Sequence, residues 1–330
     1  MSLDVVGVGN AIMDALVRIP DEGVLDELGL ARGRMTPADH GRWHQVYDAV
    51  HELGVEIHSG GSCANVVATS GVLGARALFC GQVGDDLFGN RYGDSMEAAC
   101  GAHALQVAEG KVSGKCLSLI SKKDGERTML TDLGTSVDLA ELGDFAERIR
   151  HAKVLHLEGY GLLGGPVKQT VYEAMEVAKE ANVPISLDCA DPFVARICKD
   201  ELISVFRSRV DIGFFNREEA EILTGKDAHD AIEELGTWVS VAVVKLGSEG
   251  SLVRASGKTV RVPVFPTQVL DTTGAGDSYA GAFLYAWTRG LPLDKCGELG
   301  SRVAALTVGQ VGAVVRDRAA MARAVAAVSA

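Results

Sequence analysis

Two aspartates flank a glycine turn in the segment DTTGAGDSYAGAF, at residues 271–283. Phosphate-binding loops commonly carry a lysine, but this segment contains no basic residue. Apolar side chains then follow with the i, i+3, i+4, i+7 spacing of a helix, at Ala280, Phe283, Leu284 and Trp287. We therefore predict that the glycine turn leads into a helix at about residues 276–289, and that a second helix follows at about residues 293–309.

The start of such a helix can bind an anion without a lysine. The first N–H groups of a helix have no partner within it, and the helix dipole adds positive potential. We predict that Gly274, Ala275 and Gly276 form an anion hole and that Asp277 is the general base for an attacking hydroxyl group. From these residues alone, Asp277 could equally be an acidic residue that only stabilises the helix N-terminus.

Three further segments accompany this turn along the chain: GGSCAN at residues 60–65, NREE at 216–219 and VVKLGSEG at 243–250. Together with DTTGAGD they resemble the ribokinase-like (PfkB) family of carbohydrate and nucleoside kinases, and the resemblance covers nearly the whole chain. It implies an enzyme that transfers phosphate from ATP to an alcohol group and uses Mg²⁺. It also implies the same general base and anion hole that the glycine turn suggests.

The resemblance implies a nucleotide-binding surface made of Asn216, Glu219, Lys245, Gly247 and Gly250. In the family, the glutamate of the NxxE motif orients Mg²⁺ and its waters around the nucleotide phosphates, and ATP lies along the strand end and turn that carry the lysine and the glycines. A plainer interpretation stays open, since NREE could be a helix N-cap with an exposed glutamate and KLGSEG an ordinary hairpin turn. Asp271 matches a position that helps form a monovalent-cation site, for an ion such as K⁺, in many members.

At the acceptor end, the resemblance implies a substrate-binding surface formed by Asn10, Ile12, Asp14, Gly60, Gly61 and Asn65. Asp14 would accept hydrogen bonds from a vicinal diol. The glycines would let a ribose lie flat on the backbone, and the asparagine amide can both donate and accept. Asp14 could instead be an ordinary turn residue between two strands.

Four segments resemble the adenosine kinase branch of the family: GNAIMD, HSGGSCAN, LEGYGLLGG and SLDCADPF. This implies phosphorylation of the 5′-hydroxyl of a purine nucleoside, most of all adenosine, with the base between walls at Ile12, Tyr160 and Phe193. Stacking of a base on an aromatic side chain is worth ~1–3 kcal/mol. The branch also implies that Arg127 reaches phosphate from a lid hairpin. The two aromatic residues could instead be core residues, and Arg127 a solvated turn residue.

Asp188 departs from the adenosine kinase pattern, in which this position is usually neutral, whereas an acid there is common among sugar kinases. A PfkB-type kinase of ribose, fructose or a related sugar is therefore an alternative, and a non-catalytic nucleoside- or sugar-binding protein of the same fold is a second.

Two other nucleotide-binding classes fail on their motifs. Ile12 replaces the third glycine of G-x-G-x-x-G, and no G-x-x-x-x-G-K-[ST] occurs.

The elements that must position these residues follow from the hydrophobic pattern. Between residues 153 and 255, continuously apolar runs such as KVLHLE, PISLD and VAVVKLG alternate with helical segments, which is typical of a parallel sheet covered by helices on both faces. We predict a doubly wound α/β fold in a single domain, residues 1–330. Hairpin-like strands in the first 135 residues predict a small antiparallel β lid, formed by segments at about 13–22, 31–59 and 103–136.

Composition limits the partners and the compartment. A net charge of −12 argues against an extended nucleic-acid interface. No apolar stretch approaches the ~20 residues that span a bilayer. Seven cysteines without a CxxC pair, and no signal-like segment at the start, predict a cytoplasmic protein with reduced thiols. We expect ATP and a small nucleoside or sugar as ligands, no membrane or nucleic-acid partner, and a monomer or homodimer.

Overall fold

The computed structural model describes residues 2–329. Within that range the strands are β1 (Leu3–Val8), β2 (Ile12–Ile19), β3 (Met35–Pro37), β4 (Val55–Gly60), β5 (Ala77–Cys80), β6 (Gln82–Gly84), β7 (Gln106–Ala108), β8 (Gly114–Ser121), β9 (Arg127–Asp132), β10 (Ala152–Glu158), β11 (Ile185–Asp188), β12 (Ile212–Asn216), β13 (Val241–Lys245), β14 (Ser251–Ala255) and β15 (Lys258–Val262). The α-helices in the same range are α1 (Gly23–Glu27), α2 (His40–Val50), α3 (Ser62–Val72), α4 (Leu87–Cys100), α5 (Phe145–Arg150), α6 (Pro166–Glu180), α7 (Pro192–Ile197), α8 (Lys199–Arg209), α9 (Arg217–Thr224), α10 (Ala228–Trp238), α11 (Ala275–Trp287), α12 (Leu293–Val308) and α13 (Arg318–Ser329).

Eight strands form the central sheet, in the order β15-β14-β13-β12-β11-β10-β1-β5. The strands from β13 to β5 in that order are parallel, and β14 and β15 add an antiparallel edge. Alternate residues point to opposite faces, so Phe215 lies in the core on one face and Phe214 in the core on the other. Helices α5 to α10 cover the first face, and α3, α4 and α11 to α13 cover the second. The predicted doubly wound α/β fold is confirmed.

The two helices predicted after the glycine turn are α11 and α12. Ala280, Phe283 and Leu284 of α11 are buried, but so is every residue from Ser278 to Ala286, which shows that α11 is buried on all sides. Trp287, the last residue of the predicted spacing, is partly buried. Over residues 2–329, no helix combines the length and the apolar composition needed to cross a bilayer.

A second sheet contains five strands in the order β3-β9-β8-β2-β4. The antiparallel pattern predicted for the lid occurs between β2 and β4 and between β8 and β9. The β2–β8 and β3–β9 pairs are parallel, so the sheet is mixed. These strands come from the three segments predicted to form the lid. Their action as a lid, and the single-domain organisation of the chain, stay predictions.

Two parts of the predicted lid segments differ from the hairpin interpretation. Residues 31–59 contain helix α2, whose Trp43, Val46 and Val50 pack into the core of the second sheet. Their i, i+3, i+7 spacing is a helical signal in the sequence. Strand β7 pairs with β6 in a separate two-stranded sheet, and not with the strands of the lid.

Candidate active site

Polar residues stand at the carboxyl ends of neighbouring parallel strands of the central sheet. The last residues of β10 to β13 are Glu158, Asp188, Asn216 and Lys245, and Asn10 follows β1. The strand register pairs Glu158 with Asp188 and Asn216 with Lys245. Ligands of open α/β sheets bind beyond this edge, so these residues lie where a site is expected.

The glycine turn forms the N-terminus of α11. Gly274 is the N-cap and has a φ of 69°, in the left-handed region that favours glycine. A Cβ on Gly274 would lie 2.3 Å from the Cβ of Ala313, so no side chain fits. Among residues 2–329 the N–H groups of Gly274 and Gly276 have no backbone partner, whereas Ala275 donates to the carbonyl of Thr272 across 3.3 Å. The free amides are available to an anion.

Asp277 lies in the first turn of α11, and α3 holds both of its carboxylate oxygens. Ser62 Oγ donates to Oδ1 at 2.8 Å, and Asn65 Nδ2 donates to Oδ2 at 2.9 Å. Burial raises the pKa of Asp277, the hydrogen bond from Asn65 opposes the rise, and the charge of Asp188 adds to it. A raised pKa makes the carboxylate a stronger base, and the two donors fix its orientation. Asn65, predicted to bind substrate, thus uses one N–H of its amide to hold the base, and its contact with substrate stays a prediction.

Asp14 lies on β2 beside Gly60 of β4. A Cβ on Gly60 would lie 2.2 Å from Asp14 Oδ2, so the glycine leaves room for the carboxylate. Burial raises the pKa of Asp14 to about 7, Arg127 opposes the rise and Asp277 adds to it. Within residues 2–329, no donor forms a hydrogen bond with this carboxylate. Its oxygens are therefore free to accept hydrogen bonds from the hydroxyl groups of a ligand.

The loop between β1 and β2 carries Asn10, whose Oδ1 is buried with no partner in the described part of the chain. An unsatisfied buried polar group costs ~1–3 kcal/mol, which a ligand hydroxyl would recover. A Cβ on Gly61 would lie 2.3 Å from the backbone oxygen of Asn10, so glycine permits this close approach. Ile12, predicted as a wall for the base, is the first residue of β2. A Cβ on Gly114 would lie 2.7 Å from Ile12 Cδ1, so the glycine leaves room for the isoleucine side chain.

Glu158 is a site residue that the sequence analysis missed. It is 1% exposed, Oε1 accepts from the N–H of Asn10 at 2.8 Å, and Oε2 accepts from the N–H of Cys63 at 2.7 Å. Burial raises the pKa of Glu158 to about 7 against these two hydrogen bonds. The side chain ties the Asn10 loop to the N-terminus of α3, which carries the two residues that hold Asp277. An acid at the end of the apolar run KVLHLE is the signal that could have identified it.

Asn216 and Glu219 form a capping box at the start of α9. Asn216 Oδ1 accepts from the N–H of Glu219 at 2.9 Å, and Glu219 Oε2 accepts from the N–H of Asn216 at 2.7 Å. The plainer interpretation was therefore right about the cap but wrong about exposure, because Glu219 is only 1% exposed. Burial, followed by the charge of Asp188, raises the pKa of Glu219 to about 8.

The two glycines after β13 have different surroundings. Gly250 has a φ of 89°, and a Cβ there would lie 2.0 Å from the carbonyl oxygen of Val262. Packing against the end of β15 therefore explains Gly250, as the hairpin interpretation held. Gly247, with a φ of 62°, has no atom of the described residues within 4 Å of a Cβ position, so its backbone is open to a ligand.

Lys245 and Asp188 form an ion pair, with Nζ 2.6 Å from Oδ2. Asp188 is 2% exposed, and its Oδ1 accepts from the N–H of Ala190 at 3.0 Å. Both oxygens of the acid that departs from the adenosine kinase pattern therefore have partners within the chain. A Cβ on Gly276 would lie 3.1 Å from Lys245 Nζ, so the ammonium lies against the anion-hole turn.

Arg127 connects the second sheet to the glycine turn. It is the first residue of β9, and its Nη1 donates to Thr273 Oγ1 at 2.8 Å. Asp271 Oδ1 accepts from the N–H of Thr273 at 2.9 Å, and Oδ2 accepts from the N–H of Gly312 at 3.1 Å. Burial would raise the pKa of Asp271, but the hydrogen bond from the Thr273 hydroxyl, together with those from the two N–H groups, outweighs burial and lowers the pKa. Asp271 thus holds the turn in shape, and a monovalent cation beside it stays a prediction.

The two aromatic residues predicted to wall a base are linked through Asp191. Tyr160 donates its hydroxyl to Asp191 Oδ2 at 3.1 Å, and Asp191 Oδ1 accepts from the N–H of Phe193 at 2.7 Å. Tyr160 packs partly against the core, and Phe193 is 46% exposed. Burial and the charge of Asp191 raise the pKa of Tyr160, and the charges of Glu158 and Asp277 add to the rise. Tyr160 follows Glu158, the last residue of β10, by two residues, so it lies at the same edge of the sheet as the site carboxylates.

Comparison with known proteins gives consistent matches. A family model described as pfkB family carbohydrate kinase matches residues 37–318. The adenosine kinase structure from Sinorhizobium meliloti is 32% identical, with a TM-score of 0.90 and full coverage of both chains. A probable sugar kinase from Rhizobium etli is 28% identical, with a TM-score of 0.91 over 100% of this chain and 99% of that chain. The 5-dehydro-2-deoxygluconokinase of Bacillus subtilis is 28% identical over 76% of this chain and 80% of its own length.

Proposed function

The chain belongs to the pfkB family of carbohydrate kinases, which use ATP to phosphorylate sugars or nucleosides, and we propose that its acceptor is the 5′-hydroxyl of a purine nucleoside, most of all adenosine. The observation that carries this proposal is the position of Tyr160, two residues after the site carboxylate Glu158, with its hydroxyl and the backbone N–H of Phe193 both bonded to Asp191. Similarity to an adenosine kinase over the whole chain supports it.

In this proposal each group of residues has a separate task. Asp14 and the unpartnered Oδ1 of Asn10 bind the ribose hydroxyls, which places the 5′-hydroxyl at Asp277. Asp277 accepts the proton of that hydroxyl as its oxygen attacks phosphorus. The free amides of Gly274 and Gly276 stabilise negative charge on the phosphoryl group, and Arg127 adds positive charge from the second sheet.

The nucleotide side also suits Mg²⁺ bound through water at Glu219. No set of three or more His, Cys, Asp or Glu side chains in residues 2–329 forms a metal cluster, and Mg²⁺ usually keeps waters and needs only one or two carboxylates plus substrate phosphates. Burial, followed by the charge of Asp188, raises the pKa of Glu219 to about 8, and a cation bound nearby would favour the ionised carboxylate. When bound, the ion would neutralise charge on the nucleotide phosphates.

Glu219→Gln should raise the Mg²⁺ concentration for half-maximal rate by ~10-fold or more, the usual cost of losing a residue that orients metal-bound water. Glutamine also completes a capping box, so α9 should stay folded. Initial rates over a Mg²⁺ titration at saturating ATP measure the effect. Glu218→Gln, the exposed neighbour that pairs with Arg196, is the matched control. An unchanged Mg²⁺ dependence would leave Glu219 with its capping role alone.

The acceptor itself is tested by comparing adenosine with ribose and fructose, in the wild type and in Tyr160→Ala. The variant should lose ~1–3 kcal/mol with adenosine, a factor of roughly five to over a hundred in kcat/KM. Its turnover of a free sugar should barely change, because a sugar does not reach the aromatic wall. Tyr172→Ala, whose hydroxyl donates to Glu201 on α8, controls for general loss of a tyrosine.

A sugar kinase is the second candidate, because the relatives include a 5-dehydro-2-deoxygluconokinase and a probable sugar kinase. The hydroxyl-binding groups of Asp14 and Asn10 suit a bare sugar as well as a ribose. A preference of the purified protein for a free hexose or pentose would establish this candidate, as would equal losses of sugar and adenosine turnover in Tyr160→Ala. The family membership removes the non-catalytic binding protein from the alternatives.

A further inference from the structure

We propose that Lys245 adds a full positive charge to the anion hole by contacting the phosphoryl group during transfer, and that Asp188 positions the lysine. This inference deepens the proposed function and rests on it. The glycine turn has no basic residue of its own. The structure brings one from β13, since a Cβ on Gly276 would lie 3.1 Å from Lys245 Nζ. The ammonium thus lies beside the turn, next to the residue that precedes Asp277.

The surroundings of Lys245 keep it charged and oriented. Its side chain is 16% exposed, and burial alone would lower its pKa, but the carboxylates of Asp188 and Glu219 outweigh burial and leave the pKa of Lys245 raised. Among the described residues, Asp188 is the single hydrogen-bond acceptor of the ammonium. An ammonium has three N–H donors, so two of them are available to a ligand.

The chemistry of transfer calls for such a group. The P–O bond to the leaving ADP breaks, the bond from phosphorus to the acceptor oxygen forms, and the hydroxyl proton passes to Asp277. Negative charge is spread over the peripheral oxygens of the phosphoryl group, and donors fixed in place before the reaction stabilise it best. The Lys245 ammonium adds a full charge to the partial charges of the amides in the turn.

A competing explanation is that Lys245 only neutralises the buried carboxylate of Asp188. Lys245→Met removes the cation and leaves that carboxylate unpaired, whereas Lys245→Met combined with Asp188→Asn removes both charges. We expect kcat to fall by ~10² or more in both variants, as for the loss of an oxyanion-hole donor. Recovery of the double variant to within about threefold of the wild-type kcat would overturn the proposal.

Nucleotide binding tests the same contact without any acceptor. The β,γ-imido analogue of ATP carries a γ-phosphoryl group and ADP does not. Calorimetry with each ligand in the presence of Mg²⁺ therefore measures how much that group contributes to the binding affinity. In Lys245→Met the affinity for the analogue should fall by ~10-fold or more relative to ADP. An unchanged ratio would overturn the role of Lys245 and leave Asp277 unaffected. If the wild type prefers a sugar, the proposed substrate fails, but this ratio still decides the role of Lys245.

The second sheet provides a matched control pair. Lys115 Nζ also lies 2.6 Å from an aspartate, Asp132, and its side chain is 1% exposed. Lys115→Met with Asp132→Asn removes another buried lysine–aspartate pair, one that has no place in the proposed chemistry. This variant should keep the wild-type ratio of analogue to ADP affinity, with thermal unfolding as the check on folding. If the ratio of analogue affinity to ADP affinity falls as much in this variant as in Lys245→Met, the result would count against a specific contact by Lys245.

Discussion

Asp277→Asn should lower kcat by ~10² or more while the protein stays folded and retains much of its substrate affinity. The amide cannot take the hydroxyl proton, so the loss should fall on the chemical step. Folding should survive because the Asn oxygen can accept from Asn65 and its NH₂ group can donate to Ser62 Oγ, the two partners of the native carboxylate. Steady-state kinetics with adenosine and ATP, together with a thermal unfolding curve, measure both quantities.

Asp294→Asn is the control for this prediction. Asp294 is an exposed acid in the first turn of α12, so like Asp277 it lies at a helix N-terminus, but it has no place in the site. Its replacement should cost at most the ~0.3–1 kcal/mol of a helix-dipole interaction and leave kcat unchanged. Near-normal turnover of Asp277→Asn would mean that the aspartate of the glycine turn only stabilises α11.

The sequence predicts features of this molecule that are encoded locally. The strands of the central sheet are short, continuously apolar runs. The helices between them differ in that their apolar residues repeat about every 3.6 positions. The glycine turn is local as well, because Gly274 supplies the left-handed φ that starts α11. Helix α2 was missed although Trp43, Val46 and Val50 carry its signal, since the strands on either side favoured a hairpin interpretation.

The contacts that complete the site join residues far apart in the sequence, and no local pattern specifies them. Ser62 and Asp277 are 215 residues apart, and Asp188 and Lys245 are 57 apart. The sequence places a polar residue at the end of each strand from β10 to β13, but the order of the strands in the sheet decides which of these residues meet. The ion pair of Asp188 with Lys245 could therefore not be predicted from either segment alone.

Asp14→Ala should lower kcat/KM by ~10²–10⁴, because hydrogen bonds to a charged group contribute ~1.5–3 kcal/mol each and a vicinal diol makes two. The loss should be similar with adenosine and with ribose, since both carry the diol. Asp14→Asn keeps one acceptor and should lie between the alanine variant and the wild type. Asp48→Ala, an exposed acid on α2, is the control.

The pH dependence of binding gives Asp14 a second, independent test. Its pKa is raised to about 7, mainly by burial, so the carboxyl is mostly protonated below pH 7 and mostly ionised above it. The ionised form accepts both diol hydrogen bonds, whereas the protonated form gives up acceptor capacity. The dissociation constant for adenosine, measured by calorimetry, should therefore rise as pH falls from 8 to 6, approaching tenfold per pH unit at the acid end. Asp14→Ala should remove most of this pH dependence. If the dependence persists unchanged in the variant, another carboxyl titrates and Asp14 is not the residue that binds the diol.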